Sequence, residues 1–422
     1  MSDCAEAAAP PAILLASTIN WPVASRMAIR FAQAGCRVAA IYPSHAHPLA
    51  ATQSVAEHYR FSLIRPQESL LRAMMASGAQ MVLPCDDGAV EQMHELYAEL
   101  KKKKAGGAAA KIIERSLGDP ASFPILASRH AVQTAARALG LSAAESFAIE
   151  RPEDFDLLAE RVSFPWVAKT DHSWGGVGVA FVRTVAEARR FLRQSGIWRN
   201  LPPSLKQLLI NGNHFWLRDL FRRSRRAISV QRMAPGLAAN TVACCWQGEV
   251  LATISVQVLD STGLTGPAAA VRIVENGQME ETVRRVVQKL GLSGFHGFDF
   301  VLDEEDGNAT LIEINSRCAP PCHLNAGPGK DLVDAFYRRW LGASPQAQAA
   351  LHPGNTVVYF PQLWQADPTH PMLESPAHDA PKEDPQLARR LMQLARRDRG
   401  YGLFKAYLAS LLRPGPLPDE AN

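Results

Sequence analysis

The sequence has 422 residues, and at about 150 residues per domain this length predicts two to three domains. With 47% hydrophobic and 20% charged residues it excludes a disordered chain, and a net charge of +4 is too small to indicate a polyanionic partner. No apolar run reaches the roughly 18 to 20 residues of a membrane span, and residues 1–11 carry acids rather than the bases of a secretory signal. Seven cysteines, an odd number, favour a reduced cytoplasmic protein over a disulfide framework.

Apolar runs alternate with helix-like segments in the first third of the chain. Strands are predicted at 12–17, 36–42, 59–64 and 80–84, and helices at 22–34 and 66–77. This alternation predicts a parallel, doubly wound α/β sheet that binds ligands at the carboxyl ends of its strands. The turn after the first strand has no glycine, so the dinucleotide-binding fingerprint is absent.

Polar pairs follow two strands of this predicted sheet. Asp86 and Asp87 come directly after the fourth strand, either as a strand-end cap or as acids that meet an amine substrate. His45 and His47 are predicted to lie in a loop after the second strand, with substrate contact as the less favoured interpretation.

The remainder of the chain is predicted to be of α+β type. Residues 101–110 indicate an exposed turn or linker, and residues 128–140 a helix with Ser128 as its N-cap. Hairpins with interspersed helices follow to about residue 341. The tail holds a strand-like run at 356–360, a proline-rich stretch and a helix over 385–412.

A glycine-rich hairpin is predicted over residues 164–182. Lys169 ends its first strand, and Gly175, Gly176 and Gly178 lie at its tip. Bare backbone N–H groups in such a loop can close on an anion beside the lysine charge. A flexible turn with a surface lysine explains the same residues equally well, and the pattern is not a Walker loop.

A second hairpin is predicted over residues 297–315, with its loop at 304–308. This register places Asp299 opposite Glu313, Gly297 opposite Asn315, and Val301 opposite Leu311. The other face is apolar and is predicted to be the core side, formed by Phe298, Phe300, Ile312 and Ile314.

The opposed acids of this second hairpin indicate a metal site. Opposite Cβ atoms lie roughly 4.5 to 5.5 Å apart, so Asp299 and Glu313 repel unless one is protonated or a cation lies between them. With the amide oxygen of Asn315 nearby, the oxygen ligands suit Mg²⁺. Two solvated acids on an exposed strand are the less favoured alternative.

Together these residues resemble the ATP-grasp superfamily. The resemblance covers residues 12 to about 340 and depends on Arg129, Lys169, the linker 231–236, Asp299 and the segment 313–317. Its most specific part is the Glu-x-Asn-x-Arg ending after the Asp-Phe strand. The chain is most similar in character to the ATP-binding modules of carbamoyl phosphate synthetase and biotin carboxylase.

The resemblance implies an ATP-grasp fold with three parts. These are an N-terminal Rossmann-like lobe at 1–125, an ATP-grasp core at 126–342 and a C-terminal helical extension at 343–422. It also implies ATP and Mg²⁺, with Mn²⁺ as an alternative metal, bound between two α+β lobes. The reaction implied is phosphoryl transfer to a carboxylate, followed by attack of a nucleophile on the acyl phosphate.

The resemblance also implies roles for charged residues. Lys169 would touch the α-phosphate side of ATP, and Arg129 would contact phosphate or only decorate a helix start. Asp299 and Glu313 would bind metal with Asn315 beside them. The arginine that stabilises the transferring phosphoryl group would be Arg317.

The remaining implied contacts are with the nucleotide. Gly175, Gly176 and Gly178 would form the lid, and the backbone of Gln231, Arg232 and Met233 would read adenine. Many members carry an acidic residue after this turn to hold the ribose, whereas this chain has Asn240. Asn240 is the candidate substitute, and a less tightly held ribose or a different contact is an equal alternative.

Other segments have two interpretations each. The arginines between 218 and 232 indicate a solvated helix face, with nucleic-acid binding as the weaker alternative. Cys318 and Cys322 favour a loop lining the acceptor pocket over a metal clip. Residues 261–270 suit a second cover over the site, and Arg272 either holds a carboxylate as a catalytic residue or is a surface arginine.

The sequence therefore predicts a cytoplasmic ATP-dependent ligase that joins a small-molecule carboxylate to an amine. The alternatives are a non-catalytic ATP-binding regulator and, less favoured, a nucleic-acid binder. No membrane partner is expected, and a homo-oligomer is compatible with the sequence.

Overall fold

The computed structural model of the chain describes residues 10–62, 64–104, 107–171, 178–194, 227–263, 266–342, 355–375 and 377–411. Gly175, Gly176 and the arginines between 218 and 226 lie outside the described residues. The described strands form three sheets, of four, six and four strands.

A parallel sheet in the order β3-β2-β1-β4 begins the chain. Its strands are β1 (Ala12–Ala16), β2 (Arg37–Tyr42), β3 (Glu57–Arg60) and β4 (Met81–Pro84), and its helices are α1 (Pro22–Gln33), α2 (Pro66–Ala76), α3 (Asp87–Lys102) and α4 (Gly107–Leu117). Leu15 packs with α1 on one face, and Leu14 packs with α2, α3 and α4 on the other, as successive residues of a strand must. The predicted doubly wound sheet is confirmed.

Two predicted boundaries in this region are wrong. The third strand covers 57–60 and not 59–64, because Phe61 leaves the strand to enter the core and the N–H of Ser62 bonds Ser69 Oγ of α2 at 3.0 Å. The predicted linker 101–110 is mostly helical, since α3 continues to Lys102 and α4 starts at Gly107 to bury its own apolar face.

An antiparallel sheet in the order β5-β8-β6-β7 follows. Its strands are β5 (Ser146–Ile149), β6 (Trp166–Thr170), β7 (Val179–Val182) and β8 (Ile228–Arg232), and the nearby helices are α5 (Phe123–Leu126), α6 (Arg129–Ala138), α7 (Asp154–Ala159) and α8 (Val185–Gln194). β6 and β7 form the hairpin that the sequence predicts, and Lys169 lies opposite Val179 in it.

A six-stranded antiparallel sheet, in the order β13-β12-β9-β10-β11-β14, forms the centre. It consists of β9 (Leu237–Trp246), β10 (Glu249–Ser261), β11 (Ala268–Val274), β12 (Gly294–Leu302), β13 (Ala309–Asn315) and β14 (Thr356–Val358). α6 and α9 (Gly277–Leu290) cover one face, while α1 and α10 (Leu332–Leu341) cover the other. The N-terminal lobe and the central sheet therefore share one hydrophobic core.

The β12–β13 hairpin has the predicted register at its functional end. Asp299 lies directly opposite Glu313, and Gly297 lies opposite Asn315. The two acids therefore project from neighbouring strands toward the same side of the sheet.

A bulge changes the register toward the loop. Phe300 pairs with Leu311 and Val301 with Thr310, so the predicted pairing of Val301 with Leu311 is wrong. Ile312 is the extra residue, and the bulge places its side chain at a cavity instead of in the core, where Leu311 is buried.

The C-terminal segment contributes a strand as well as helices. β14 pairs with β11, with Val358 opposite Ala270, and α11 (Gln362–Ala366) and α12 (Pro385–Leu411) follow. Leu387 and Leu391 of α12 pack on Ile29 of α1. Short 3-10 turns lie at Pro48–Ala50, Pro120–Ser122, Pro320–His323 and Pro371–Glu374. Within the described ranges, no helix has both the length and the apolar character that a membrane crossing requires.

Two buried histidines make the stability of this fold dependent on pH. His296 Nε2 donates to the Ser293 carbonyl at 2.8 Å, and burial lowers the pKa of His296 to about 4. His47 contacts the Ile19 carbonyl at 2.6 Å, and burial lowers its pKa to about 3. Both rings are therefore neutral in the folded protein at pH 5, whereas the unfolded chain would protonate them.

We expect His296→Gln, which keeps an N–H donor, to reduce the loss of unfolding free energy that accompanies acidification from pH 6.5 to 5. A lowered histidine pKa removes stability below the unfolded value of 6.5, by about 1.4 kcal/mol per pH unit for each ring. Urea unfolding of both proteins at pH 7, 6 and 5 measures the difference between the two slopes, in which other titrating groups cancel. Equal slopes would contradict the assignment.

Candidate active site

A cavity of about 410 Å³ is lined by residues from all three sheets. It collects most of the predicted site residues: Arg129, Lys169, Gln231, Arg232, Asn240, Asp299, Glu313, Asn315 and Arg317. Residues separated by up to 188 positions in the sequence therefore meet at one place, as an active site requires.

Glu313 is held by two cations from different elements. Arg129, the first residue of α6, donates to Glu313 Oε1 through Nε at 3.0 Å and Nη2 at 2.7 Å. Lys169 Nζ, at the end of β6, lies 3.7 Å from Glu313 Oε2. Burial alone would raise the pKa of Glu313, but the two cations outweigh burial and hold the pKa below its usual value. Glu313 is therefore ionised at neutral pH.

Lys169 is itself almost completely buried, with 4% of its surface exposed. Its Nζ also contacts the Ile312 carbonyl at 3.4 Å, which the β-bulge turns toward it. Burial lowers the pKa of Lys169, while the neighbouring Glu313 opposes that shift. Because its two acceptors lie 3.4 and 3.7 Å from Nζ, Lys169 can also bind a further anion.

Asp299 is surrounded by amide donors instead of cations. Asn315 Nδ2 donates to Asp299 Oδ2 at 2.9 Å, and Asn240 Nδ2 donates to Oδ1 from β9. Burial and repulsion from Glu313 raise the pKa of Asp299 to about 6. The two opposed carboxylates therefore have pKa values displaced in opposite directions, which is typical of functional pairs.

Arg317 connects the acids of the central sheet with the N-terminal lobe. Its Nε donates to Asp87 Oδ1 at 3.0 Å, and its Nη2 donates to Asn315 Oδ1 at 3.2 Å. Burial alone would lower the pKa of Arg317, but Asp87 and Asp299 reverse the direction and raise it. Asp87 thus lies at the cavity beside the predicted phosphoryl-binding arginine.

Asp86 has the structural role of a strand-end cap, which is one of the two interpretations given above for Asp86 and Asp87. It caps α3 at the Ala89 N–H and accepts from Ser17 Oγ at 2.8 Å and from the Thr18 backbone at 2.6 Å. His47 contacts the same Ser17 hydroxyl at 3.0 Å. Asp86 therefore fixes the loop after β1, and both Asp86 and Asp87 line the cavity.

The predicted catalytic role of Arg272 is contradicted by its position. Val271 and Ile273 enter the core on the face of the central sheet that also carries Asn240 and Asp299. Because side chains alternate along a strand, Arg272 projects from the opposite face, where it is exposed and does not line the cavity.

Two nucleotide contacts expected from the resemblance also differ. Asn240 lies opposite Asp299 and donates to it through Nδ2, so its amide nitrogen supports that carboxylate and only its oxygen remains to accept from a ribose hydroxyl. Met233 is 40% exposed and does not line the cavity, whereas Ala234 does. The backbone N–H groups of residues 232 and 233 already donate to the carbonyls of Glu145 and Pro165.

The linker at the end of β8 has one position where glycine is required. Gly236 has a φ of +130°, and a Cβ atom added there would lie 2.1 Å from the Leu302 carbonyl oxygen. This close approach brings the start of β9 against β12. It thereby fixes Asn240 beside Asp299.

The loop after β13 lines the cavity, as favoured by the sequence. Ala319, Pro320 and Pro321 are lining residues, while Cys318 and Cys322 are buried free thiols. The second predicted cover also reaches the cavity, through Ser261, Gly266, Pro267 and Ala268.

The donor set at Asp299 and Glu313 fits a hard divalent cation. Asp299 accepts one amide hydrogen on each oxygen, which leaves lone pairs free for a metal. Asn315 points its nitrogen at Asp299 and its oxygen at Arg317, so it links these two residues. The described part of the chain has no group of three or more His, Cys, Asp or Glu that could hold a metal, so a cation here would need further oxygens from a bound phosphate.

Several cavity residues could not be found from sequence. Tyr359 reaches the cavity because β14 adds to β11, and Trp21 because α1 begins beside the β1 turn. Neither residue lies in a recognisable motif. Their contribution follows only from pairing and packing between distant segments.

Comparisons with known proteins agree with this architecture. Residues 149–321 match the sequence model of the ATP-grasp domain family. No curated protein sequence matches the chain. Among solved structures, N5-carboxyaminoimidazole synthetase from Staphylococcus aureus in complex with ADP has a TM-score of 0.54 at 12% identity, over 81% of this chain and 79% of that one.

Two carboxylase structures are similar in the same way. Biotin carboxylase from Campylobacter jejuni gives a TM-score of 0.56 at 12% identity, over 82% of this chain and 74% of that one. The biotin carboxylase domain of 2-oxoglutarate carboxylase from Hydrogenobacter thermophilus gives 0.55 at 15% identity, over 81% and 72%. At these identities the likeness is one of fold, and it agrees with the match of residues 149–321 to the ATP-grasp domain model.

Proposed function

We propose that the protein is an ATP-dependent ligase that joins a carboxylate to an amine through an acyl phosphate and releases ADP and phosphate. The observation that supports it is the opposed pair Asp299 and Glu313, flanked in one cavity by Lys169, Arg129 and Arg317. Phosphoryl transfer depends mainly on positioning and electrostatic stabilisation, for which these five side chains are sufficient.

The nucleotide would lie between the β5–β8 sheet and the central sheet. Apolar side chains there suit a flat base, and Lys169 and Arg129 lie beyond them for phosphates. The apolar residues are Val167, Val179, Phe181, Ala234, Val301 and Ile312. The ADP-bound state of the synthetase from Staphylococcus aureus supports this assignment.

Mg²⁺ would be held by Asp299 and Glu313, and it would neutralise the phosphate charge that the reaction moves. The protein side chains complete that neutralisation. Lys169 and Arg129 keep Glu313 ionised, and Arg317 presents a fixed cation at the boundary with the N-terminal lobe. The role of Asp87 is to hold Arg317 in this orientation and to offer a negative charge to an amine.

The part of the cavity next to the N-terminal lobe would take the carboxylate and the amine. Its charged groups are Arg317, Asp87 and the neighbouring Asp86, and the remaining walls are mostly apolar. The wall residues are Ile19, Trp21, Cys85, Val242, Val258, Ala268, Ala319, Pro320, Pro321 and Tyr359. A small substrate with an apolar body and its charged groups at one end matches this lining. The reaction is placed in the cytoplasm, with small molecules as partners.

We expect Lys169→Met to weaken MgADP binding by about tenfold to a hundredfold, because a hydrogen bond to a charged group contributes roughly 1.5–3 kcal/mol. Isothermal titration calorimetry measures the change. Lys330→Met is the matched control, since Lys330 pairs with Glu275 at 2.8 Å and does not line the cavity. Equal affinities for the wild type and Lys169→Met would contradict the nucleotide site.

Turnover is tested by measuring ADP release with pairs of amino acids, one as the carboxylate substrate and one as the amine substrate. The side chains of these amino acids range from apolar to charged. We expect release only when both are present, and Glu313→Gln should reduce it about a hundredfold or more, as loss of an electrostatic group does. Glu305→Gln, an exposed acid in the loop of the same hairpin, should leave it unchanged. Full activity of Glu313→Gln would refute the ligase mechanism, and MgADP binding without turnover would favour the regulator.

A further inference from the structure

A buried charged cluster of Arg26, His323 and Asp379 lies behind the apolar wall of the cavity. We call it the Asp379 cluster. Arg26 Nη2 of α1 lies 3.6 Å from Asp379 Oδ1, and His323 Nε2 lies 3.1 Å from Asp379 Oδ2. The Phe360 N–H donates to Asp379 Oδ1 at 2.6 Å, and Arg26 Nη2 donates to the Phe360 carbonyl at 3.2 Å. Asp379 is thus contacted from three separate segments.

Two of these segments form the wall itself. Pro320 and Pro321, which line the cavity, belong to the same 3-10 turn as His323. Tyr359, which also lines the cavity, directly precedes Phe360. One carboxylate therefore holds both pieces of wall, and it holds them against α1 of the N-terminal lobe.

The charged side chains of this cluster are buried, which costs desolvation free energy. The side chains of Arg26 and Asp379 are only 5% and 8% exposed. Burial alone would raise the pKa of Asp379, but Arg26 and His323 reverse the direction and keep it ionised. Buried ion pairs seldom stabilise a fold more than apolar packing would, so their clearest use is to fix orientation.

Asp379 also lies outside the segment that matches the ATP-grasp family, 149–321. It comes from the chain after β14, and the backbone there pairs Val358 with His378. The part of the protein that is not shared with the family therefore reaches the back of the apolar wall.

We propose that Asp379 is a positioning residue that holds the turn Pro320–His323 and Tyr359 as the wall of the apolar part of the cavity. The C-terminal segment would thereby complete the substrate site, a consequence that rests on the proposed function. The positioning itself does not depend on the reaction and is testable without a substrate.

The test compares Asp379→Asn with Asp331→Asn. Asp331 forms an equivalent pair with Arg30, one turn along α1, at 2.5 Å and with side chains 10% and 12% exposed, but it does not line or contact the wall. Both variants remove a buried charge that faces α1. Both are therefore expected to lose stability, and only the first should loosen the wall.

The probe is alkylation by iodoacetamide, read at each cysteine by peptide mass spectrometry. Cys85 lines the cavity and is fully buried, whereas Cys36 is buried away from it and reports global opening. We expect Asp379→Asn to raise the Cys85 to Cys36 rate ratio about tenfold, as loss of a charged hydrogen bond at a local opening does, with MgADP affinity unchanged. Asp331→Asn should leave the ratio as in the wild type.

An unchanged ratio in Asp379→Asn, or an equal rise in both variants, would overturn the positioning role. If Asp379→Asn does not fold, His323→Gln removes one arm of the cluster and should raise the same ratio, and failure to do so would also overturn it. A raised ratio in a protein whose wild type releases no ADP would keep the positioning role and refute the ligase. If the ligase is active, Asp379→Asn should raise KM for the apolar substrate and leave KM for ATP unchanged.

Discussion

The constraint on which the site depends is the repulsion between two carboxylates on adjacent strands. At a separation of about 5 Å and an effective dielectric constant near 20, two such charges repel by roughly 3 kcal/mol. Asp299 and Glu313 cannot both be ionised there unless the surroundings compensate. The structure compensates unequally, with two cations on Glu313 and two amides on Asp299. Glu313 is therefore held ionised, while the pKa of Asp299 is raised to about 6, closer to neutral pH than that of an ordinary aspartate.

This compensation explains why three sheets have to meet. The cations come from α6 and β6, the amides from β9 and β13, and the arginine that joins them pairs with an acid at the start of α3. No single element contains enough of these groups to neutralise the pair. The shared core between α1 and the central sheet holds the N-terminal lobe in the place where Asp87 meets Arg317. The electrostatics of the site therefore depend on how the lobes pack against each other.

Local patterns were enough to predict the parallel sheet, both hairpins and the opposed acids, because alternation and turn chemistry act over a few residues. These local patterns gave wrong predictions where one extra residue shifted the strand pairing, and where interacting residues lay far apart in the sequence. The bulge at Ile312 shifts the register between β12 and β13 by one residue. Because side chains alternate along β11, Arg272 projects from the face of the sheet opposite the cavity. The contact of Asn240 with Asp299 could not be predicted, because the two residues are 59 positions apart on different strands. No sequence motif marks Tyr359 or Asp379, since only the addition of β14 brings Tyr359 to the cavity and Asp379 behind its wall.

The division between shared and separate parts of the chain has a chemical meaning. The segment that matches the ATP-grasp family contains Lys169, the two acids and Arg317, which are among the groups that we propose to act on phosphate. Trp21, Asp87 and Tyr359 lie outside it and form part of the wall next to the N-terminal lobe, together with residues inside it such as Val242 and Pro320. Because phosphate chemistry needs the same charges whatever the acceptor, that part of the site is constrained, while the apolar wall is free to change with the substrate. We infer that selection of the substrate lies in the N-terminal lobe and the C-terminal segment, which meet at Arg26 and Asp379.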